Sequence, residues 1–117
     1  MGHVEVKVAS SNLETGARAD EIGLVDTGVT LTVLPRKIAD VLRLPIRSRS
    51  KVMTAGGAIS IDLSDIGVEI EGKSGTVRVA ISDVIDRVLI GVTTLETLGL
   101  MVDPVTSRLK ESYYLLC

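Results

Sequence analysis

The chain has 117 residues, of which 45% are hydrophobic although Trp and Phe are absent, so one domain with a core of Val, Ile and Leu is predicted. A net charge of −2 with scattered basic residues gives no positive footprint for nucleic acid or an anionic membrane, and neither is an expected partner. One cysteine, Cys117, and one histidine, His3, exclude an intrachain disulfide and a Ser-His-Asp or Cys-His catalytic system within one chain.

Strand-like alternation of apolar and polar residues dominates the chain from its N-terminus. Val4, Val6 and Val8 alternate with charged residues, and an apolar run ends at Leu24-Val25. Residues 59–64 repeat the same period of two. Because β-branched residues are favoured in strands, these patterns indicate a mainly β domain over residues 1–117.

Local signals predict a hairpin and two short helices. The hairpin turns at residues 72–75, where glycines supply positive φ angles. Pro35 in a first-turn position predicts a helix over residues 35–42. A second helix is expected from a cap at Thr93 or Thr94 through Leu98, and Gly99 ends it.

The two ends of the chain also have a strand-like pattern. Residues 4–8 and 109–116 would be exposed edge strands in a monomer, which is an aggregation hazard. In a dimer they can pair.

The most informative motif is Asp26-Thr27-Gly28, which lies between two apolar, strand-like runs. An acid at a tight turn between buried strands is costly to desolvate, so a use for this carboxylate is expected. Residues 25–30 are echoed by residues 88–93, in which Val and Gly-Val-Thr recur at the same offsets. Leu89 stands where the first copy has Asp26, so one chain carries one such acid.

These motifs resemble those of the retropepsin-like aspartic peptidases, small single-lobed relatives of pepsin that work as homodimers. Asp26-Thr27-Gly28 is similar to the family's Asp-Thr/Ser-Gly motif, and Leu89-Ile90-Gly91 is similar to its second motif, two hydrophobic residues and Gly. Residues 54–59 stand where the family has a glycine-rich flap hairpin. The resemblance covers roughly residues 20–105, with Val29 where the family usually has Ala or Ser. It implies an all-β, closed-barrel-like fold with one or two short helices.

The resemblance further implies an aspartic endopeptidase that needs no cofactor or metal and acts on polypeptide as a homodimer. Hydrolysis of an amide without a metal requires one carboxylate to accept a proton from water and a second, protonated one to polarise the carbonyl. Two-fold symmetry places Asp26 beside the Asp26 of a second copy. Gly28 lets its N–H approach the carboxylate. The resemblance implies that the Thr27 hydroxyl reaches across the axis to the other subunit's main chain.

Candidate substrate-binding residues surround this acid. Ala55, Gly56 and Gly57 form the tip of the expected flap, whose backbone groups can hydrogen-bond an extended peptide. Aliphatic residues near the acid would form the side-chain pockets: Val29, Ile59, Ile90 and Val92. Asp62 is expected to face water, and Asp83 to initiate a turn.

Two other interpretations stay open. The same dimeric fold could bind a peptide without cleaving it, because Val29 removes the small or hydroxyl side chain beside the acid. Alternatively, Asp26 caps a turn in a purely structural domain. No apolar run reaches about 18 residues and no secretory signal is recognised, so a soluble, cytoplasmic protein is expected.

Overall fold

The structure, a computed structural model, describes residues 4–113; His3 and Cys117 lie outside this part. In chain order, the described elements are β1 (Val4–Ser11), β2 (Arg18–Val25), β3 (Thr32–Pro35), α1 (Arg36–Val41), β4 (Ser48–Thr54), β5 (Gly57–Ile70), β6 (Lys73–Ser82), β7 (Val88–Ile90), α2 (Val92–Leu98), β8 (Leu100–Asp103) and β9 (Arg108–Glu111).

Six of these strands close into a barrel. Their order is β1-β2-β7-β3-β6-β5, and the ring closes where Ala9–Ser11 of β1 pair with Gly67–Glu69 of β5. The sheet is mixed, because β2 runs parallel to β7 and β3 runs parallel to β6. β4 lies outside the ring and pairs with β5. The prediction of an all-β, closed-barrel fold with short helices is confirmed.

The period-two pattern of the strands explains the core. Val4, Val6 and Val8 point into the barrel, as the alternation predicts, while the charged residues between them are exposed. Burying an aliphatic side chain of this size contributes roughly 1.5–3 kcal/mol relative to exposure. The most deeply buried aliphatic side chains, at 0–1% exposure, come from several strands and one helix end: Leu34, Leu42, Ile66, Ile70, Val79, Ile81, Val88 and Ile90.

Both helices form, and the N-terminus of each differs from the prediction. Pro35 is the N-cap of α1 and not part of its first turn. The cap of α2 is Gly91, so the expected cap at Thr93 or Thr94 is wrong. Gly99 ends α2 in the left-handed region with φ 67°, as predicted, because glycine adopts this conformation without a Cβ clash.

The hairpin between β5 and β6 turns earlier than the sequence pattern predicts. Its turn is Glu71-Gly72, at φ 50° and 78°, and Ile70 pairs with Lys73. Two positive φ values match the right-handed twist of the flanking strands. Residues 73–75 therefore belong to β6, where they pair with Val68–Ile70.

The prediction that residues 4–8 have an open edge in a single chain holds on one side of β1. β1 pairs along its whole length with β2, and its C-terminal end pairs with β5. Pairing with β5 covers only Ala9–Ser11, so among the described residues no strand pairs with residues 4–8 on that side. The predicted C-terminal strand is confirmed only at Arg108–Glu111, since Ser112 and Tyr113 are outside it and residues 114–117 are not described.

Candidate functional site

The backbone fixes the Asp26 turn from both sides. β2 ends at Val25, and the Asp26 N–H donates to the Ile90 carbonyl at 3.0 Å. The Val29 N–H donates back to the Asp26 carbonyl at 3.2 Å, which closes the turn. Asp26 is half-buried, and Thr27 and Gly28 are exposed. The acid is therefore held at the rim of the barrel, where water reaches it, and not in the sealed interior that the sequence suggested.

Gly28 orients the carboxylate. Its N–H donates to Asp26 Oδ1 at 2.9 Å. A Cβ built on Gly28 would lie 3.2 Å from the same oxygen, which is tighter than an ordinary contact. Glycine thus brings a backbone donor close to the acid without a side chain between them.

Backbone hydrogen bonds join segment 88–93 to segment 25–30, which it echoes in sequence. The Val92 N–H donates to the Val29 carbonyl at 2.9 Å, and the Thr93 N–H donates to the Thr30 carbonyl at 3.0 Å. A Cβ on Gly91 would stand 2.6 Å from Leu31 C and 2.7 Å from the Thr30 oxygen. Only glycine allows the backbone at residue 91 to pass this close to the backbone of residues 30–31. We call this close approach of the two segments the crossing, and it explains why Gly91 precedes α2.

Two buried hydroxyls that the sequence analysis missed lie at the crossing. Thr32 Oγ1 accepts the Gly91 N–H at 3.0 Å and shares a hydrogen bond with Thr94 Oγ1 at 2.7 Å. The two threonines are 1% and 0% exposed. Because buried hydrogen bonds of this kind fix a single arrangement, both turns are held rigidly behind the acid. The sequence signal was weak, since a Thr in a strand and a Thr in a helix are ordinary.

A set of half-buried aliphatic side chains begins at Val29, whose N–H closes the Asp26 turn. We call this set the aliphatic patch: Val29, Leu31, Ile61 and Leu89, packed on the buried Val33, Leu63 and Ala80. Val29, predicted as a pocket residue, is a member of this patch. Ile90 has no exposed surface, because alternation along β7 turns it into the barrel and turns Leu89 outward. Ile90, predicted as a substrate-binding residue, thus faces the core, and Leu89 is the β7 residue whose side chain lies in the aliphatic patch.

The expected flap is a two-residue hairpin. Thr54 pairs with Gly57 across Ala55-Gly56, and Gly57 has φ 114°, which favours glycine. The Thr54 hydroxyl donates to the Gly57 carbonyl at 2.8 Å and accepts the Gly56 N–H at 3.2 Å. Ala55 and Gly56 are exposed, and Gly57 is half-buried.

This hairpin projects beyond the barrel. β5 pairs with β6 only as far as Asp62 opposite Ile81, so residues 57–61 of β5 pair with β4 alone. We call residues 49–62 the flap hairpin. Ile61 of the flap hairpin belongs to the aliphatic patch, which connects the projecting arm to the acid turn. Ile59, predicted as a pocket residue, lies on the same arm and is 47% exposed.

A second apolar surface begins at Thr27 on the other side of the turn. This surface lines a groove of about 520 Å³. We call it the α2 face and define it by these lining residues: Thr27, Val92, Leu95, Leu100, Met101 and Tyr113. Val92, predicted as a pocket residue, lies here and not in the aliphatic patch. Met101 and Tyr113 are exposed, at 42% and 85%. Thr27 therefore stands where the acid turn meets this face.

Within residues 4–113, no three His, Cys, Asp or Glu side chains come together as metal ligands. In the same residues, no helix is both long and apolar enough to cross a bilayer.

Comparisons with known proteins add no family. No protein-family model matches the chain, and no curated protein matches it.

Proposed function

We propose that this chain is one subunit of a homodimeric aspartic endopeptidase of the retropepsin-like kind. Asp26 of each subunit activates water against a peptide bond of an extended polypeptide. The observation that carries the proposal is the Asp26 carboxylate itself. It is oriented by the Gly28 N–H, locked by the crossing at Gly91 and accessible at the barrel rim.

The chemistry follows from two carboxyl groups that share one proton. Carboxylates about 3 Å apart cannot both ionise, so one Asp26 stays protonated while the other is charged. The charged one takes a proton from water, and the water oxygen attacks the carbonyl carbon. The protonated one donates to the carbonyl oxygen. When the tetrahedral intermediate collapses, the C–N bond breaks and the leaving nitrogen receives a proton from the pair. A hydroxyl group of the intermediate returns its proton to the pair, which again holds one proton.

A second copy is required because one chain supplies one acid at this position. An isologous dimer brings a residue near its axis against its own counterpart. Thr27 is exposed, follows the acid directly and borders the apolar α2 face. Among the described strands, β8 and β9 pair only with each other, so their outer edges are open to a partner strand. The α2 face and these edges are the proposed dimer interface.

The other elements suit an extended peptide substrate. The aliphatic patch offers apolar contacts beside the acid, and the exposed backbone of Ala55-Gly56 offers hydrogen-bonding groups. A hairpin that closes over bound peptide excludes water from the reaction.

A non-catalytic peptide-binding dimer is the second candidate. The observation that favours it is Val29, which packs into the aliphatic patch and has no hydroxyl to bond the acid. In this case the flap hairpin and the patch hold a peptide, but the acid pair does not cleave it.

The experiment compares Asp26→Asn with Asp20→Asn, an exposed acid on β2. Cleavage of unfolded proteins is followed between about pH 3 and 7, and sedimentation reports the oligomeric state. Asp26→Asn abolishes cleavage and leaves a folded dimer, while Asp20→Asn cleaves like wild type. Cleavage by Asp26→Asn at the wild-type rate would refute the proposal. A wild-type dimer that binds unfolded peptide and cleaves nothing would favour the binding dimer.

Subunit mixing tests whether both acids act in one site. Wild-type protein is allowed to exchange subunits with an equal amount of Asp26→Asn protein. Random pairing leaves half of the wild-type chains in mixed dimers, so the activity falls to about half. Unchanged activity after complete exchange would show that each chain works alone.

A further inference from the structure

Four charged side chains form a continuous chain of ion pairs at the base of the flap hairpin. Arg49 Nε lies 2.8 Å from Asp62 Oδ1, and Arg36 Nη2 lies 2.9 Å from Asp62 Oδ2. Arg36 Nε lies 2.8 Å from Asp83 Oδ1, and its Nη2 lies 3.1 Å from Asp83 Oδ2. We call this series the ion chain. The expectation that Asp62 faces water is wrong, because its side chain is only 13% exposed between two guanidinium groups.

The ion chain lies where the flap hairpin leaves the barrel. Asp62 pairs with Ile81 of β6 on one side and with Arg49 of β4 on the other, and it is the last residue of β5 toward the tip that β6 holds. Beyond this register, β4 and β5 pair only with each other. The position of the projecting arm therefore depends on what holds Asp62.

The other end of the ion chain holds a second segment. Asp83 begins residues 83–87, which connect β6 to β7. The Ser82 hydroxyl accepts the N–H groups of Val84 and Ile85 at 3.1 and 2.9 Å, which fixes the start of this segment. Arg36 thus forms ion pairs both with Asp62, at the base of the flap hairpin, and with Asp83, at the start of segment 83–87.

A cleft of about 360 Å³ opens between these two walls. Ile59 and Ile61 line it from the flap hairpin, Val84 lines it from the opposite segment, and Arg36 is part of its lining. Ile61 also belongs to the aliphatic patch beside the acid. Ile61 is thus common to the cleft and the aliphatic patch, and Arg36 bonds Asp62 and Asp83 from the two walls of the cleft.

The choice of arginine at this position has a physical reason. A cation at the first position of a helix opposes the helix dipole, and here two carboxylates offset that cost. The planar guanidinium presents donors in a fork that can bind two carboxylates together, which a lysine ammonium does not reproduce. The Arg36 side chain is 32% exposed, so solvent screens its pairs less than those of a fully exposed arginine.

We propose that Arg36 is a positioning residue for peptide cleavage: it fixes the flap hairpin against segment 83–87 and so sets the width of the substrate cleft. Its effect on cleavage rests on the proposed function. Its effect on the hairpin does not, so the two can fail separately.

The test measures amide hydrogen exchange in wild type, Arg36→Met, Arg36→Lys and Asp83→Asn. Arg18→Met is the matched control, because Arg18 also joins two acids, Asp20 and Glu69, but from the exposed surface of β2. Exchange at residues 50–61 rises about tenfold in both Arg36 variants, less in Asp83→Asn, and not in the control. Amides of β6 keep wild-type rates in all four variants.

Two results overturn the proposal. One is unchanged exchange at residues 50–61 in the Arg36 variants. The other is equal acceleration in β6 and in the flap hairpin for Arg36 and Asp83 variants alike, which would assign the ion chain to general stability.

The kinetic part uses the same proteins. KM rises several-fold in Arg36→Met while kcat changes less, because the variant loses substrate positioning and keeps the acid pair. An unchanged KM together with a mobile hairpin would refute the link to cleavage. If wild type cleaves nothing, the proposed function fails and the exchange data still decide the role of Arg36 in the hairpin.

Discussion

Replacing Gly91 with alanine tests the crossing that holds the acid turn. The added Cβ would lie 2.6 Å from Leu31 C and 2.7 Å from the carbonyl oxygens of Leu31 and Thr30. All three atoms belong to the backbone, so no side chain can rotate away. The crossing must open by roughly 1 Å to restore ordinary contact.

The expected loss in the free energy of unfolding has a steric part and a hydrogen-bond part. Overpacking of a close-packed site costs about 1–3 kcal/mol. Opening the crossing also weakens the Gly91 N–H bond to Thr32 and the Val92 N–H bond to Val29, at about 1 kcal/mol each. The sum is about 3–5 kcal/mol, a large part of the stability of a domain of this size.

Gly56→Ala is the matched control, because a Cβ at residue 56 would lie 3.8 Å from its nearest neighbour, Thr54 Oγ1. The φ angle of Gly56 is not positive, so alanine can adopt it. Urea unfolding followed by circular dichroism is measured for both variants at one protein concentration, since a dimer's stability depends on concentration. Gly56→Ala stays within about 0.5 kcal/mol of wild type. If Gly91→Ala lost less than about 1 kcal/mol, the close crossing would not be a feature of the folded protein.

Two further predictions concern buried and charged hydrogen bonds. Thr32→Val removes the acceptor of the Gly91 N–H and the partner of Thr94, so the free energy of unfolding falls by about 1–3 kcal/mol. A double-mutant cycle with Thr94→Val gives a clear coupling energy. Strict additivity of the two substitutions would contradict the hydrogen bond. The Arg36 guanidinium lowers the pKa of the Asp83 carboxyl. The stabilisation is therefore complete above the unfolded-state pKa of about 4 and is lost as the pH falls through the lower folded-state pKa. Urea midpoints of Asp83→Asn and wild type thus differ at neutral pH and converge in strong acid, whereas a constant difference would contradict the pair.

Short-range patterns in the sequence predicted the individual elements well. The inward Val residues of β1 and the helix end at Gly99 follow from local geometry, and both are confirmed. The turn of the hairpin was placed too late, because glycines at 72 and 75 compete and only pairing along β6 decides between them. Pairing between distant strands also decides that Ala9–Ser11 of β1 close the barrel against β5.

The candidate site was predictable in its motifs and not in its contacts. Asp26-Thr27-Gly28 could be identified from residue types and their order along the chain. Leu89, and not Ile90, faces outward, which depends on the side of β7 that meets the core. Arg36 meets Asp62 and Asp83 across separations of 26 and 47 residues, and no local pattern signals such partners.

The distance between the two Asp26 carboxyl groups in an experimental structure tests the central claim most directly. We expect a two-fold axis through the pair, with carboxyl oxygens about 3 Å apart and Thr27 of each subunit against the other. A protein that is monomeric in the crystal and in dilute solution, with the Asp26 turn facing open solvent, would contradict it.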